Sequence, residues 1–143
     1  MKRIMVPVDG SEFSLRAIEK AVEIGRAFDS EIILYNGIQD VRHDYDVGVK
    51  IKHHQEKNLR IYSDKILEES KAVLNKLNYI NYRTVAEKGF LVSIICDYSS
   101  NSDVDLIVMG SQGMNAGKLR GIFVGSITRK VINCTDLPVL VVK

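Results

Sequence analysis

The chain has 143 residues, 45% of them hydrophobic and 27% charged, which is the composition of an ordinary globular domain and excludes disordered and fibrous classes. That length suits one domain, residues 1–143, with a core of its own. The 20 Lys and Arg against 18 Asp and Glu leave a charge of +2 spread along the sequence, so no basic stripe marks the chain as a partner of nucleic acid.

Ile4 to Val8 is a short apolar run closed by Asp9-Gly10-Ser11, the pattern of a buried strand ending in a tight turn. From Ser11, a good N-cap, the residues Leu15, Ile18, Ala21, Val22 and Phe28 recur at three- and four-residue spacing and predict a helix of about four turns. Glu31 to Tyr35 is a second strand, continuous in its apolar character as parallel strands covered on both faces are. Residues 39–58 carry mixed charge and all three histidines without an apolar period, and read as a mobile surface loop leading into a helix. Tyr62, Ile66, Val73 and Leu77 form one stripe and Leu59, Leu67 and Leu74 a second, so that helix runs from near Leu59 to near Asn78. Tyr82 to Ala86 is the third strand, Leu91 to Tyr98 a short helix, and Asp105 to Met109 the fourth strand. Gly125 to Asn133 suits a last helix, and Pro138 to Val142 a fifth strand. Strands and helices thus alternate, which argues an open parallel α/β sheet, because parallel neighbours need crossovers and helices supply them. Apolar runs such as Leu106 to Met109 are far short of a membrane span, and no signal-peptide pattern opens the sequence, so a cytoplasmic protein with no membrane partner is expected. Cys96 and Cys134 lie in no CxxC or Cys/His ligand spacing, and two buried free thiols are expected.

Doubly wound sheets bind ligands outside the carboxyl ends of their strands, which directs attention to the segments after strands one, two and four. After strand one, Asp9 beside a turn glycine can accept hydrogen bonds from a ribose or a base; equally, Asp9 and Ser11 can cap the turn and the helix. After strand four come Gly110-Ser111-Gln112-Gly113, eleven residues from Met114 to Val124, and then Gly125-Ser126-Ile127-Thr128 opening a helix. Glycines let backbone N–H groups approach phosphate oxygens, and a helix N-terminus adds free donors with partial positive charge. Gly113 to Leu119 is no P-loop, since only three residues separate Gly113 from Gly117 and Leu119 follows Lys118. Lys118 and Arg120 suit either a phosphate or a solvated loop. His43, His53 and His54 sit in no ligand or nucleophile motif and read as solvated. No catalytic motif is visible, and no catalytic or metal-ligating residue is assigned.

Three segments together resemble the universal stress protein family: IMVPVDGSEFSLRAIEKAVEIG at 4–25, DLIVMGSQG at 105–113 and VGSITRKVINCTDLPVLVVK at 124–143. The resemblance implies an adenine nucleotide alpha hydrolase-like fold, an open five-stranded parallel sheet of order 3-2-1-4-5 with helices on both faces. It also implies ATP or a related adenine nucleotide bound where the strand order reverses; a magnesium or manganese ion bridging the phosphates would assist hydrolysis or self-phosphorylation there. Carried over by position, Pro7 and Asp9 contact the adenosine and Gly37 presents its backbone to the base. Gly110, Ser111, Gln112 and Gly113 approach the ribose and phosphates, and Gly125, Ser126, Ile127 and Thr128 hold the phosphate tail. Two departures stand out: the spacer from Met114 to Val124 is longer than the family's, and Gly37 replaces a valine beside the adenine. A homodimer through the apolar last strand is expected, because such an edge needs pairing or cover.

Three functions compete on these residues. One is a nucleotide-binding stress or regulatory module whose output is a conformational or partner change. Another is slow ATP hydrolysis or self-phosphorylation on Ser126. The third is a dimeric interaction protein with an empty cleft, a reading that the long spacer keeps open.

Overall fold

Side chains alternate across a strand, so a strand apolar at every position must be covered on both faces, and the computed structural model arranges the chain in that way. It describes residues 1–40, 49–114 and 124–143, with side chains left out for 49–55. The elements are β1 (Arg3–Pro7), α1 (Glu12–Phe28), β2 (Glu31–Gln39), α2 (Val49–Lys76), β3 (Tyr82–Gly89), α3 (Leu91–Asn101), β4 (Leu106–Gly110), α4 (Ser126–Cys134) and β5 (Val139–Val142). The sheet has five strands in the order β3-β2-β1-β4-β5, and every neighbouring pair is parallel. Ile4 in the central strand pairs with Ile32 on one side and Leu106 on the other.

Ile4, Val6, Ile32 and Leu34 point to the face covered by α1 and α2. Met5, Ile33, Tyr35, Ile107 and Met109 point to the opposite face, under α3 and α4. The chain steps from β1 to β2 to β3 in one direction and then crosses to β4 and β5. Right-handed crossovers therefore put the first two helices on one face and the last two on the other. The strand order reverses between β1 and β4, and their carboxyl ends part there.

The sequence reading and the structure differ in several places, among them α3, which runs to Asn101 rather than Tyr98. Residues 49–58, expected as loop, are helical, so α2 begins ten residues before Leu59. The segment VKIKHHQEKN has Lys, Gln and Glu at half of its positions, which favour a helix, but no organising apolar period, so periodicity alone does not reveal this part of the helix. His53 and His54 consequently lie on helical backbone, whereas His43 is outside the described residues. β2 and β3 extend to Gln39 and Gly89, because the ladder continues through Asn36–Ala86 and Gln39–Gly89 although Asn and Gly are weak strand formers. Finally, Cys96 and Cys134 are not free thiols. They form a disulfide between α3 and α4, with Cα atoms 6.3 Å apart. The packing of two helices on one sheet face brings together residues 38 apart in sequence, a contact that spacing cannot show.

At the amino edge of the sheet, the Asp105 carboxylate accepts from the backbone N–H groups of Lys2 (2.6 Å) and Arg3 (2.9 Å), tying the start of β4 to the start of β1. These bonds, Arg3 first, hold its carboxyl below the ordinary carboxylate range. Among the described residues, no helix is long and apolar enough to cross a membrane.

Candidate functional site

The β1–α1 turn satisfies its own polar groups. Gly10 takes φ +81°, a backbone that side chains disfavour, and Asp9 Oδ1 accepts from Ser11 N at 3.0 Å. Ser11 then caps α1, its Oγ accepting from Ser14 N at 3.2 Å, while Ser14 Oγ donates to Ser11 O at 2.9 Å. The capping role expected of Ser11 is thus present. Asp9 Oδ2 faces the other way and accepts from Met114 N at 3.2 Å, so one carboxylate bridges the ends of β1 and β4.

The segment after β4 is held by backbone. Ser111 N donates to Val142 O and Ser111 O accepts from Gly125 N, both at 2.7 Å, which brings the start of α4 against the end of β4. Thr128 Oγ1 donates to Gly110 O at 2.9 Å and locks the first turn of α4 to the same strand. The glycines serve close packing as well as any ligand. A Cβ at Gly110 would lie 2.8 Å from the Phe13 carbonyl carbon, and one at Gly113 2.8 Å from Asp9 Oδ2. Gly125 stands at the N-cap of α4 and has no side chain with which to cap it.

From β2, buried Asn36 donates its Nδ2 to Val8 O at 2.7 Å, and the Tyr35 hydroxyl donates to Glu87 Oε2 at 2.6 Å. Burial first, and then the Glu87 carboxylate, push the Tyr35 phenol far above its ordinary range, so it stays protonated and remains a donor. A Cβ at Gly37 would lie 2.7 Å from Leu91 Cδ2 and 3.2 Å from Ile94 Cδ1. The apolar wall that a valine would have supplied is therefore built from α3 instead.

These segments surround a cavity of about 840 Å³ at the carboxyl edge of the sheet, where β1 and β4 part. Pro7, Asp9, Gly37, Gly110, Gln112, Gly113, Gly125, Ser126, Ile127 and Thr128 all line it. Ser111 does not appear among the described lining residues; its side chain is buried and its backbone makes the ties given above. Lys118, Arg120 and most of the spacer between Met114 and Val124 lie outside the described residues. The sequence reading missed the contribution of α2, from which Leu59, Tyr62, Ser63 and Ile66 form one wall, and of Ile38 and Ile95. Leu59 and Ile66 were visible as stripe residues, but a stripe shows burial and not what it is buried against.

The charge in the cavity is sparse. Asp9 is the only acidic side chain among the described lining residues, and no Lys or Arg joins it. Among the described residues no group of three or more His, Cys, Asp and Glu could hold a metal ion. The two ends of the cavity differ in kind. Leu59, Ile66, Leu91 and Ile95 give flat apolar surface, whereas the first turn of α4 gives backbone N–H groups, the Ser126 hydroxyl and the positive end of a helix dipole.

An open parallel sheet with a half-apolar crevice at its point of strand reversal defines a class of α/β ligand-binding domains. The universal stress protein family model matches residues 1–143, and a universal stress protein of Methanocaldococcus jannaschii is 30% identical over 99% of this chain and 82% of its own length. The chain belongs to the universal stress protein family. Its fold is similar to that of a universal stress protein from Archaeoglobus fulgidus solved in complex with dAMP (TM-score 0.75, 19% identity, 100% of this chain and 98% of that one). A universal stress protein solved in complex with cAMP is likewise similar (TM-score 0.71, 23% identity, 99% and 95%).

Proposed function

We propose that this chain is an adenine-nucleotide-binding module, with the base against the apolar walls, the ribose beside Asp9, and the phosphates directed at the start of α4. The observation that carries the reading is the polarity of the crevice, apolar between α2 and α3 and donor-rich at the α4 N-terminus. Solved members of the family with dAMP and cAMP support the ligand class. ATP is the form whose tail makes most use of α4, since each further phosphate adds acceptors for Ser126, Ile127 and Thr128.

With Asp9 the lone carboxylate among the described lining residues, a magnesium or manganese ion would take most of its ligands from phosphate oxygens and water. Each Asp9 oxygen accepts one backbone hydrogen bond and keeps acceptor capacity for a ribose hydroxyl. The output is then a change in conformation or partner during a stress response. Partial exposure along the whole of β5, an edge strand, supports pairing with a second copy.

Mass spectrometry of small molecules released on denaturing the natively purified protein tests the reading, together with titration calorimetry for AMP and ATP. Recovery or binding of an adenine nucleotide is expected; no released nucleotide and no measurable heat with either would leave the empty-cleft interaction protein in its place.

A further inference from the structure

Ser63 is 1% exposed, and its Oγ has no hydrogen-bond partner among the described residues. It nevertheless lines the cavity, on α2 between Leu59 and Ile66. An unpaired buried hydroxyl opposes folding, and a helix supplies an easy remedy, because serine can donate to the carbonyl four residues back. Two turns later in the same helix Ser70 does so, its Oγ donating to Ile66 O at 2.8 Å. Ser63 does not, so its hydrogen-bonding capacity is left for what occupies the cavity.

The position of that wall identifies the part of the occupant it meets. α2 packs on the sheet face opposite α4. Ile66, one turn beyond Ser63, sits 3.3 Å from where a Gly10 side chain would begin, so this stretch of α2 leans over the β1–α1 turn beside Asp9. A hydroxyl there, flanked by apolar side chains, lies on the nucleoside side of the crevice and away from the phosphate side. Resting on the nucleotide-binding reading, we infer that Ser63 is a ligand-binding residue whose hydroxyl hydrogen-bonds the adenosine portion of the bound nucleotide. A hydroxyl both donates and accepts, so it suits a ring nitrogen, an amino group or a ribose hydroxyl.

Calorimetric titration of adenosine, AMP and ATP into the parent, Ser63→Ala and Ser70→Ala tests this, with thermal unfolding of each protein free of ligand. Ser63→Ala is expected to weaken all three ligands by one common factor, about two- to tenfold for a single hydrogen bond. Its ligand-free midpoint should equal or exceed that of the parent, because an unpaired hydroxyl has been replaced by a methyl group. Ser70→Ala should leave the three affinities unchanged. Equal affinities for the parent and Ser63→Ala would overturn the inference alone, as would a lower ligand-free midpoint for Ser63→Ala, the mark of a structural hydroxyl. A parent that binds none of the three ligands would instead overturn the nucleotide reading on which the inference rests.

Discussion

Two helices open on the same crevice, and they are built differently. α1 has 17 residues, buries Phe13, Ala17, Ile18, Ala21 and Val22, and caps its first turn with its own Ser11. α4 has nine residues, buries only Thr128 and Val131, and starts from a glycine. Its far end is held to α3 by the Cys96–Cys134 disulfide and its near end to β4 by the Thr128 hydroxyl. A first turn capped by its own side chain has its donors satisfied within the chain, whereas one without a side-chain cap leaves N–H groups for water or a ligand. Under the proposed function, this contrast places α1 in the scaffold and α4 toward the ligand.

The largest expected effect comes from removing the external support of α4. The double substitution Cys96→Ser with Cys134→Ser, or reduction of the parent, should lower stability by about 2–4 kcal/mol, the usual range for a cross-link of this kind. ATP affinity should fall with it, as α4 loses its fixed position. Urea denaturation with and without reductant reads the first effect, and an unchanged midpoint would show that the disulfide does not support α4.

Removing the internal support of α1 should behave otherwise. Ser11→Ala deletes an N-cap and should cost about 1 kcal/mol in urea denaturation. The ratio of AMP to ATP affinity should not move, because the capped donors never faced a ligand; a changed ratio would erase the distinction between the two helices. Ser126→Ala is the converse case. Ser126 is exposed at the mouth of α4, so the fold should hardly notice its loss, while ATP should weaken a few-fold and AMP less.

The smallest effect belongs to Asp105, far from both helix starts. Its lowered carboxyl pKa means that the charged form is the one the fold stabilises. That contribution is complete above the unfolded value near 3.9 and disappears as pH falls through the lower folded value. Asp105→Ala should therefore melt slightly below the parent at pH 7, with the gap closing below about pH 4 and nucleotide affinity unchanged throughout. A gap that persisted in acid would mean that the carboxylate's charge contributes nothing there.

Much of this contrast was legible in the sequence. Ser11 announces its cap because only a few residue types can accept from a first-turn amide, and β1, β2 and β4 announce themselves because strands buried on both faces must be apolar throughout. The glycines around β4 pointed to the crevice, although Gly110 and Gly113 also answer to Phe13 and Asp9, neighbours that only the tertiary fold supplies. The start of α2, the Cys96–Cys134 pair and Ser63 were hidden for one shared reason. A polar helix turn, a distant cysteine and a helix serine have no local pattern, and their meaning comes from what the fold sets beside them.

The central claim, that α4 and not α1 receives the phosphates, is tested most directly by backbone amide NMR on the protein titrated with ATP. The Ser126, Ile127 and Thr128 amides should shift and become protected from hydrogen exchange, while the Ser14 amide, already bonded to Ser11 Oγ, should change little. Large changes at Ser14 with none at Ser126 to Thr128 would contradict the account.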